Sequence, residues 1–220
     1  MGIETFRLNV SRHGFGRSLT RSVLTRAVKL TEFEICRVEF NSDAPYSWPD
    51  VDGYETQIVN DAEFHQHLCK ELNHVDYRWA FERGDTCSAS LLGDEVVGYT
   101  FYSALPTRVR HGIAFTFPPE QYVYAFASAT APSHRGKRLD RDRWKVARRH
   151  RNAATGRDPR TIWYVNIANL ESRASARAVN VTTPDEFIGH IAYFNVAGQY
   201  RLFASARCER AGVRFIRASS

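Results

Sequence analysis

The sequence predicts an α/β protein with a mixed, mostly antiparallel central sheet flanked by helices. Two strand-like runs, Thr86–Leu92 and Glu95–Ser103, flank Gly93–Asp94, a two-residue connection typical of a type II′ hairpin. A third run, Tyr122–Thr130, is followed by a helical pattern that ends near Gly156 and then by another strand-like run. A hairpin followed by alternating strands and helices indicates a mixed sheet.

The N-terminal residues predict a short basic amphipathic helix. Between Ser18 and Leu30 apolar residues recur at nearly helical spacing, with arginine and lysine side chains interleaved. We expect residues 1–32 to form a helical extension that packs on a single domain, residues 33–220. A membrane-surface or transit-peptide role for this extension is the less favoured alternative.

Other elements are predicted on either side of the hairpin. Asn60 or Asp61 is expected to cap a helix whose buried stripe contains Phe64, Leu68 and Leu72. The remaining predicted elements are strands at 33–40, 161–167, 186–194 and 200–207, an extra edge strand at 213–216 and a short helix at 171–179.

The positive charge of the chain is concentrated in one segment. Of 220 residues with a formal net charge of +6, residues 135–151 hold nine Lys or Arg side chains against Asp140 and Asp142, so the remainder is close to neutral. This local excess favours one anionic ligand site over a broad duplex-binding face. The nine residues are Arg135, Lys137, Arg138, Arg141, Arg143, Lys145, Arg148, Arg149 and Arg151.

Cysteine spacing and apolar run length argue against several protein classes. Cys36, Cys69, Cys87 and Cys208 form no C-x-x-C pair and have no metal-ligand spacing to histidine, so neither a zinc site nor a disulfide scaffold is predicted. The longest apolar runs fall far short of the roughly 18–20 residues that span a bilayer. We therefore expect a cytoplasmic protein with no metal and no membrane span.

The stretch from Tyr122 to Leu139 carries the strongest chemical signal. The predicted strand runs into Pro132 and a basic turn that contains Gly136 and opens a helix. Such a turn offers unpaired backbone N–H groups and the positive end of a helix dipole, the arrangement that holds phosphates. On spacing alone, a solvated basic helix explains the pattern equally well.

The same residues resemble the pyrophosphate signature of the GNAT superfamily of N-acetyltransferases. The family pattern V-x-P-x-x-R-G-K-G-x-G corresponds to Thr130–Asp140, which reads TAPSHRGKRLD. The resemblance implies a GNAT-like fold in which the backbone of Ala129, Thr130 and Ala131 contacts the acyl group and pantetheine. It also implies that the amides of the turn hold the pyrophosphate, namely those of Arg135, Gly136, Lys137, Arg138, Leu139 and Asp140.

Two positions of this turn depart from the family pattern. Arg138 and Asp140 stand where the family usually has Gly and either Gly or Ala. Arg138 adds a cation, so the phosphate role survives. Asp140 is expected to cap the helix and to point away from the phosphates.

A second, looser match to the family lies downstream. The Asn of the family pattern appears as Asn169, its small residue as Ser172 and its Tyr as Ala176, so the resemblance places Asn169 and Ser172 at the cofactor. Because Ala176 cannot give the departing thiolate the proton that the Tyr often supplies, the candidate acid is Ser172, Ser175 or a water. On the strand, Tyr124 is the candidate base, with half-buried packing as its alternative role.

The resemblance implies an N-acyltransferase that uses acetyl-CoA or another acyl-CoA as co-substrate. The acceptor would be an amine of a small molecule or peptide, and the variable loops at 41–60 and 104–119 are expected to bind it.

Two other functions remain open. In the first, acyl carrier protein is the donor, docked on the basic helices at 17–29 and 141–151, with the aromatics between Phe101 and Phe126 lining a long acyl tunnel. In the second, the chain is a catalytically inactive GNAT-like binding module. Nucleic acid is not expected as a partner, because no aromatic stacking platform accompanies the basic charge.

Overall fold

The computed structural model of the protein describes residues 31–38, 51–72, 76–110, 112–169, 186–196 and 199–218. The predicted helices at 18–30 and 171–179 lie outside the described residues, as does the first half of the predicted loop at 41–60.

The described elements alternate between strands and short helices. The strands are β1 (Thr31–Val38), β2 (Glu55–Val59), β3 (Thr86–Leu92), β4 (Glu95–Ser103), β5 (Thr107–Arg110), β6 (Ile113–Thr116), β7 (Tyr122–Thr130), β8 (Arg160–Asn166), β9 (Glu186–Val196), β10 (Gln199–Ala204) and β11 (Arg214–Arg217). The α-helices are α1 (Asp61–His67), α2 (Arg78–Glu82), α3 (Leu139–Thr155) and α4 (Ala206–Arg210). Single 3-10 turns occur at Lys70–Leu72 and Pro132–His134.

The chain divides into two compact units. Unit 1 contains residues 1–37, 107–118 and 164–220, and unit 2 contains residues 38–106 and 119–163. The boundary between residues 163 and 164 falls inside β8.

Unit 2 is built on a mixed sheet in the order β2-β3-β4-β7-β8. The first three pairings are antiparallel and the pairing of β7 with β8 is parallel, which confirms the predicted mixed, mostly antiparallel sheet. The predicted bounds of β3, β4 and β7 are also confirmed. In the β3–β4 hairpin Gly93 has φ +58° and Asp94 is not among the residues with positive φ, as a type II′ turn requires.

Helices cover both faces of this sheet. Neighbouring residues of a strand point to opposite faces, so Phe101 and Thr100 of β4 mark the two sides. The Phe101 ring packs 5.6 Å from that of Phe64 on α1, whereas Thr100 accepts a hydrogen bond from Arg143 on α3. The α1 face of β4 is therefore aromatic and its α3 face is polar.

The α1 side of unit 2 holds the main apolar core. Phe64 is fully buried, and its ring centroid lies 5.1 Å from Tyr99, 5.6 Å from Phe81 and 6.3 Å from Tyr77. The pairs with Tyr99 and Tyr77 are edge-on, and such pairs contribute roughly 0.5–1.5 kcal/mol each beyond their buried area. Phe64 thus anchors α1 on the sheet.

Helix α1 begins as predicted and ends earlier than predicted. Asn60 caps it, with a reciprocal capping box between the Asn60 and Glu63 side chains and backbones. The helix ends at His67 because Leu68 turns to extended backbone (ψ 122°) and bridges Val96 of β4. The predicted continuation of this helix through Leu68 to Leu72 is therefore wrong.

Unit 1 contains the antiparallel strands β1-β9-β10 and a separate three-stranded sheet, β11-β6-β5. Its core includes Phe115, Tyr193 and Phe215, whose rings lie about 6 Å apart in edge-on contacts.

Three predictions made for residues outside the hairpin need correction. The strand predicted at 200–207 ends at Ala204, because Ser205 accepts a hydrogen bond from the Cys208 N–H and caps α4. Part of the predicted loop at 104–119 forms the β5–β6 pair. Within the predicted loop at 41–60, residues 55–59 form β2.

Candidate functional site

Strand β7 separates from β8 after its first third. Its parallel pairing covers Tyr122–Tyr124 against Arg160–Ile162. Beyond Tyr124, the pairing recorded among the described residues is with β4 alone. Among the described residues, the outer edge of β7 from residue 125 to 130 therefore pairs with no strand.

A β-bulge in β7 reverses the direction of its side chains. Between Phe126 and Ala129 the strand has one residue more than β4 has between Phe101 and Tyr99, and Ala127 adopts φ +50°. Phe126 packs on Phe101 at 5.6 Å, on the α1 face. Two residues later, Ser128 contacts Thr100 on the opposite, α3 face. Without the bulge these two side chains would share a face.

The basic turn after β7 opens directly into α3. Arg135 has extended backbone, Gly136 has φ +80° and Arg138 has φ +60°, and the helix starts at Leu139. Arg138 is the N-cap and makes no side-chain capping bond. The expectation that Asp140 caps the helix is wrong, because Asp140 lies inside its first turn. The first N–H groups of α3 therefore receive no bond from the cap side chain.

Exposed cations surround this turn. Arg135, Lys137 and Arg138 are all exposed. The Nε atom of Arg135 donates to the Thr130 carbonyl at 3.2 Å, which folds its side chain over the end of β7. Lys137 donates to the Tyr54 hydroxyl and lies 4.7 Å from that ring.

Residues distant in sequence fix the loop that precedes these cations. His134 Nδ1 lies 2.8 Å from the Tyr54 hydroxyl. Both oxygens of the Glu71 carboxylate accept from Ser133, one from its backbone N–H at 3.2 Å and one from its hydroxyl at 2.7 Å. These bonds hold the pKa of Glu71 below its ordinary value of 4.5, with His134 and Arg135 adding to the effect.

The positive segment is not one continuous surface. Arg141, Arg143 and Arg151 of α3 are buried, with 8%, 1% and 9% of their surface exposed, and Arg143 and Arg151 donate to hydroxyls of the sheet. Arg148 pairs with Asp158, and Lys145 pairs with Asp142 at 3.1 Å. The expectation that the basic helix at 141–151 docks an acidic carrier is therefore wrong for the buried Arg141, Arg143 and Arg151. The exposed charge at the start of the segment lies in the turn before α3.

Arg143 is the main functional candidate that the sequence did not reveal. Its guanidinium donates to three hydroxyl oxygens: Nε to Thr100 at 3.1 Å, Nη1 to Ser90 at 3.2 Å and Nη2 to Thr130 at 3.1 Å. Burial lowers the pKa of this guanidinium, and Asp140 opposes the shift. Within the part of the chain that the structure describes, Arg143 has no carboxylate in ion-pair contact. An available signal was the run of Thr86, Ser88 and Ser90 at alternate positions of β3.

The remaining predicted site residues are distributed as follows. Tyr124 is only 3% exposed and stacks on Phe126 at 5.6 Å, which favours its packing role. Asn169 is exposed in unit 1, just after β8, where its N–H donates to the Asn166 carbonyl. Ser172 and Ser175 lie outside the described residues.

Two further findings concern metals and membranes. The described residues contain no group of three or more His, Cys, Asp or Glu side chains arranged to hold a metal ion. Among the same residues, no helix is both long and apolar enough to cross a bilayer.

Comparison with known proteins gives structural neighbours only. No family model matches the sequence, and no curated protein is similar to it. A GNAT-family acetyltransferase from Novosphingobium aromaticivorans is 10% identical with a TM-score of 0.46, the match covering 80% of this chain and 66% of that one. One from Colwellia psychrerythraea is 12% identical with a TM-score of 0.44, covering 80% and 61%.

A third neighbour is a Drosophila protein at 12% identity and a TM-score of 0.42, the match covering 85% of this chain and 59% of that one. The chain thus spans less than two thirds of each neighbour. Two of these three neighbours carry the family name that the turn motif suggests.

Proposed function

We propose that the protein is an acyl-CoA-dependent N-acyltransferase, with acetyl-CoA as the expected donor and an amine of a small molecule or peptide as the acceptor. The observation that supports this most is the continuity of β7 with the turn. A strand edge that the sheet leaves unused runs directly into exposed Arg135, Lys137 and Arg138 and then into the N-terminus of α3. An extended ligand with phosphates at one end suits this arrangement.

The turn supplies what a diphosphate needs. Backbone N–H groups at the start of α3 and the positive end of its dipole attract anions, and the exposed cations add charge-assisted hydrogen bonds. Left-handed backbone at Gly136 and Arg138 turns the chain sharply between strand and helix. Binding of the phosphates here would place the thioester arm along the free edge of β7.

The chemistry itself asks little of the side chains. A neutral amine attacks the thioester carbonyl carbon, the C–N bond forms, the C–S bond breaks and the sulfur leaves as thiolate. Backbone N–H groups on the edge of β7 would polarise the carbonyl oxygen. The amine loses one proton to a base and the thiolate gains one from an acid. Such a reaction requires no metal.

The departing thiolate needs a proton donor. Ser172, Ser175 or a water would protonate the thiolate, because Ala176 cannot. If a serine is the acid, the Ser172→Ala, Ser175→Ala double variant should lose about 10²-fold in kcat with donor binding unchanged. Full activity of that variant would assign the proton to water.

Packing within unit 2 favours a short acyl group over a long one delivered by a carrier protein. The aromatic side chains expected to line a tunnel pack against one another, with Phe101 5.6 Å from Phe126 and Phe126 5.6 Å from Tyr124. We also propose a cytoplasmic location, which the free thiols of Cys69, Cys87 and Cys208 support.

Release of free thiol from acetyl-CoA and from longer acyl-CoAs, measured against a panel of amines, tests the proposal. The parent protein should release thiol only when an amine acceptor is present. The Arg135→Ala, Arg138→Ala double variant, which removes two cations of the turn, should release less thiol than the parent. Its matched control is Arg149→Ala, which removes an exposed arginine farther along α3 and should keep activity. Coenzyme A binding without turnover on any donor would instead support the binding-module alternative.

A further inference from the structure

We infer that the hydroxyls of Ser128 and Thr130, oriented by the buried Arg143, form a pair of hydrogen-bond donors for oxygen atoms of the acyl donor. This inference rests on the proposed function. It assigns a binding role to side chains of β7, whereas the motif resemblance implies backbone contacts only.

The direction of the hydrogen bonds follows from the chemistry of the groups. A guanidinium can only donate, so Thr100 Oγ1 must accept from Arg143 Nε at 3.1 Å. Thr100 is completely buried, so its hydroxyl proton needs an acceptor within the protein. Among the described residues that acceptor is the Ser128 oxygen, 2.9 Å from Thr100 Oγ1. If Ser128 donated instead, a buried Thr100 proton would be left without an acceptor. Thr100 therefore donates to Ser128.

The proton of Ser128 is consequently available to a ligand. Ser128 is exposed, and because its oxygen accepts from Thr100, its own hydroxyl proton is not used in that bond. The chain from Arg143 through Thr100 to Ser128 begins at a buried cation and runs in one direction, so each bond polarises the next and strengthens the terminal donor.

Thr130 is arranged in the same way. Its hydroxyl oxygen accepts from Arg143 Nη2 at 3.1 Å, its side chain is half-buried, and its own proton is not used in a hydrogen bond recorded among the described residues. Because the bulge at Ala127 turns Ser128 to the α3 face, both hydroxyls lie on the same side of β7 two residues apart. They also lie immediately before the basic turn.

Among the described residues Arg143 bonds only to hydroxyls, so its buried charge has a high desolvation cost for purely structural packing. The burial of Arg143 is explained if its charge polarises the hydroxyls of Ser128 and Thr130, which then bind a ligand at the surface. The ligand chemistry that two polarised hydroxyl donors recognise is an oxygen acceptor, either a phosphate oxygen or an amide carbonyl of the pantetheine arm.

Calorimetric titration with coenzyme A, 3′,5′-ADP and pantetheine tests the inference. Ser128→Ala should weaken coenzyme A binding about fivefold, the scale of one hydrogen bond. If Ser128→Ala weakens the binding of pantetheine but not of 3′,5′-ADP, the contact is to a carbonyl. If it weakens the binding of 3′,5′-ADP but not of pantetheine, the contact is to a phosphate. The control is Ser88→Ala, which removes a buried hydroxyl that has no hydrogen-bond partner among the described residues and should bind like the parent.

The positioning role of Arg143 is tested by a double-mutant cycle. In an Arg143→Met background, Ser128→Ala should cost less than twofold in affinity, because the donor is no longer oriented. A full fivefold cost there would overturn the role of Arg143. Unchanged coenzyme A affinity of Ser128→Ala would overturn the donor pair while the proposed function stands, and failure of the parent to bind coenzyme A would overturn both. Ser128 is exposed, so its variant is informative even if Arg143→Met does not fold.

Discussion

The Nη1 atom of Arg143 lies 2.5 Å from the position that a Cβ atom on Gly98 would occupy. The same point is 3.2 Å from the Ala129 carbonyl oxygen and 3.3 Å from Thr130 Oγ1. Gly98 of β4 therefore leaves the space that the buried guanidinium fills. The buried position of Arg143 on α3 therefore depends on the missing side chain of Gly98 on β4.

Gly98→Ala is expected to destabilise the protein by about 1–3 kcal/mol, the usual cost of overpacking a core. The guanidinium would have to move, and three hydrogen bonds and full burial hold it in place. Urea denaturation of the parent and the variant measures the difference. Adding Arg143→Met should remove part of the cost, since it removes the nearest clashing atom. Simple addition of the two single effects would contradict the contact.

Arg138→Gly is expected to raise the free energy of unfolding by about 1 kcal/mol. Arg138 adopts φ +60°, a left-handed conformation that costs a residue with a Cβ roughly that much and costs glycine almost nothing. Arg138→Ala is the matched control, because it removes the charge and keeps the Cβ. Equal stability of the Gly and Ala variants would show that the backbone of this position is not strained.

Glu71→Gln should flatten the dependence of stability on acid pH. The folded-state pKa of Glu71 lies below 4.5, so its contribution is present above that pH and is lost as the pH falls through the folded-state value. Unfolding free energies measured from pH 7 to pH 3 should therefore fall less steeply below about pH 4.5 in the variant. An identical curve for Glu71→Gln would contradict the Glu71–Ser133 contact.

Local chemistry explains why some of the fold could be predicted from the sequence. The bounds of β3 follow from alternating apolar residues, those of β7 from a continuous apolar run that Pro132 ends, and the start of β4 from Gly93 at a position that needs positive φ. The capping box at Asn60 is equally local, because both of its partners lie within four residues. These features depend on no distant contact.

The polar interface beneath α3 could not be predicted in this way. Arginine is rarely buried, so the sequence indicated that Arg143 and Arg151 are surface cations. Both arginines lie on α3, and their burial depends on hydroxyls such as those of Thr100 on β4 and Thr161 on β8, which the fold brings beneath that helix. The bulge at Ala127 was equally hidden, since an alanine gives no local signal for left-handed backbone.

The candidate site was predicted in part. The placement of Arg135, Gly136 and Arg138 in a strand-to-helix turn agrees with the motif, and their contact with phosphates stays a prediction. The expected cap at Asp140 failed because the chain enters the helix one residue after the left-handed Arg138. Capping depends on that backbone angle, which residue type alone did not indicate.

Calorimetric titration of acetyl-CoA into the parent and into the Arg135→Ala, Arg138→Ala double variant tests the central claim most directly. The account predicts binding by the parent and a binding free energy weaker by on the order of 1–3 kcal/mol in the variant, because each substitution removes a charge-assisted hydrogen bond to a phosphate. Arg149→Ala should bind within twofold of the parent. Equal affinity of the parent and the double variant, or no binding by the parent, would contradict the assignment of the turn as the coenzyme A site.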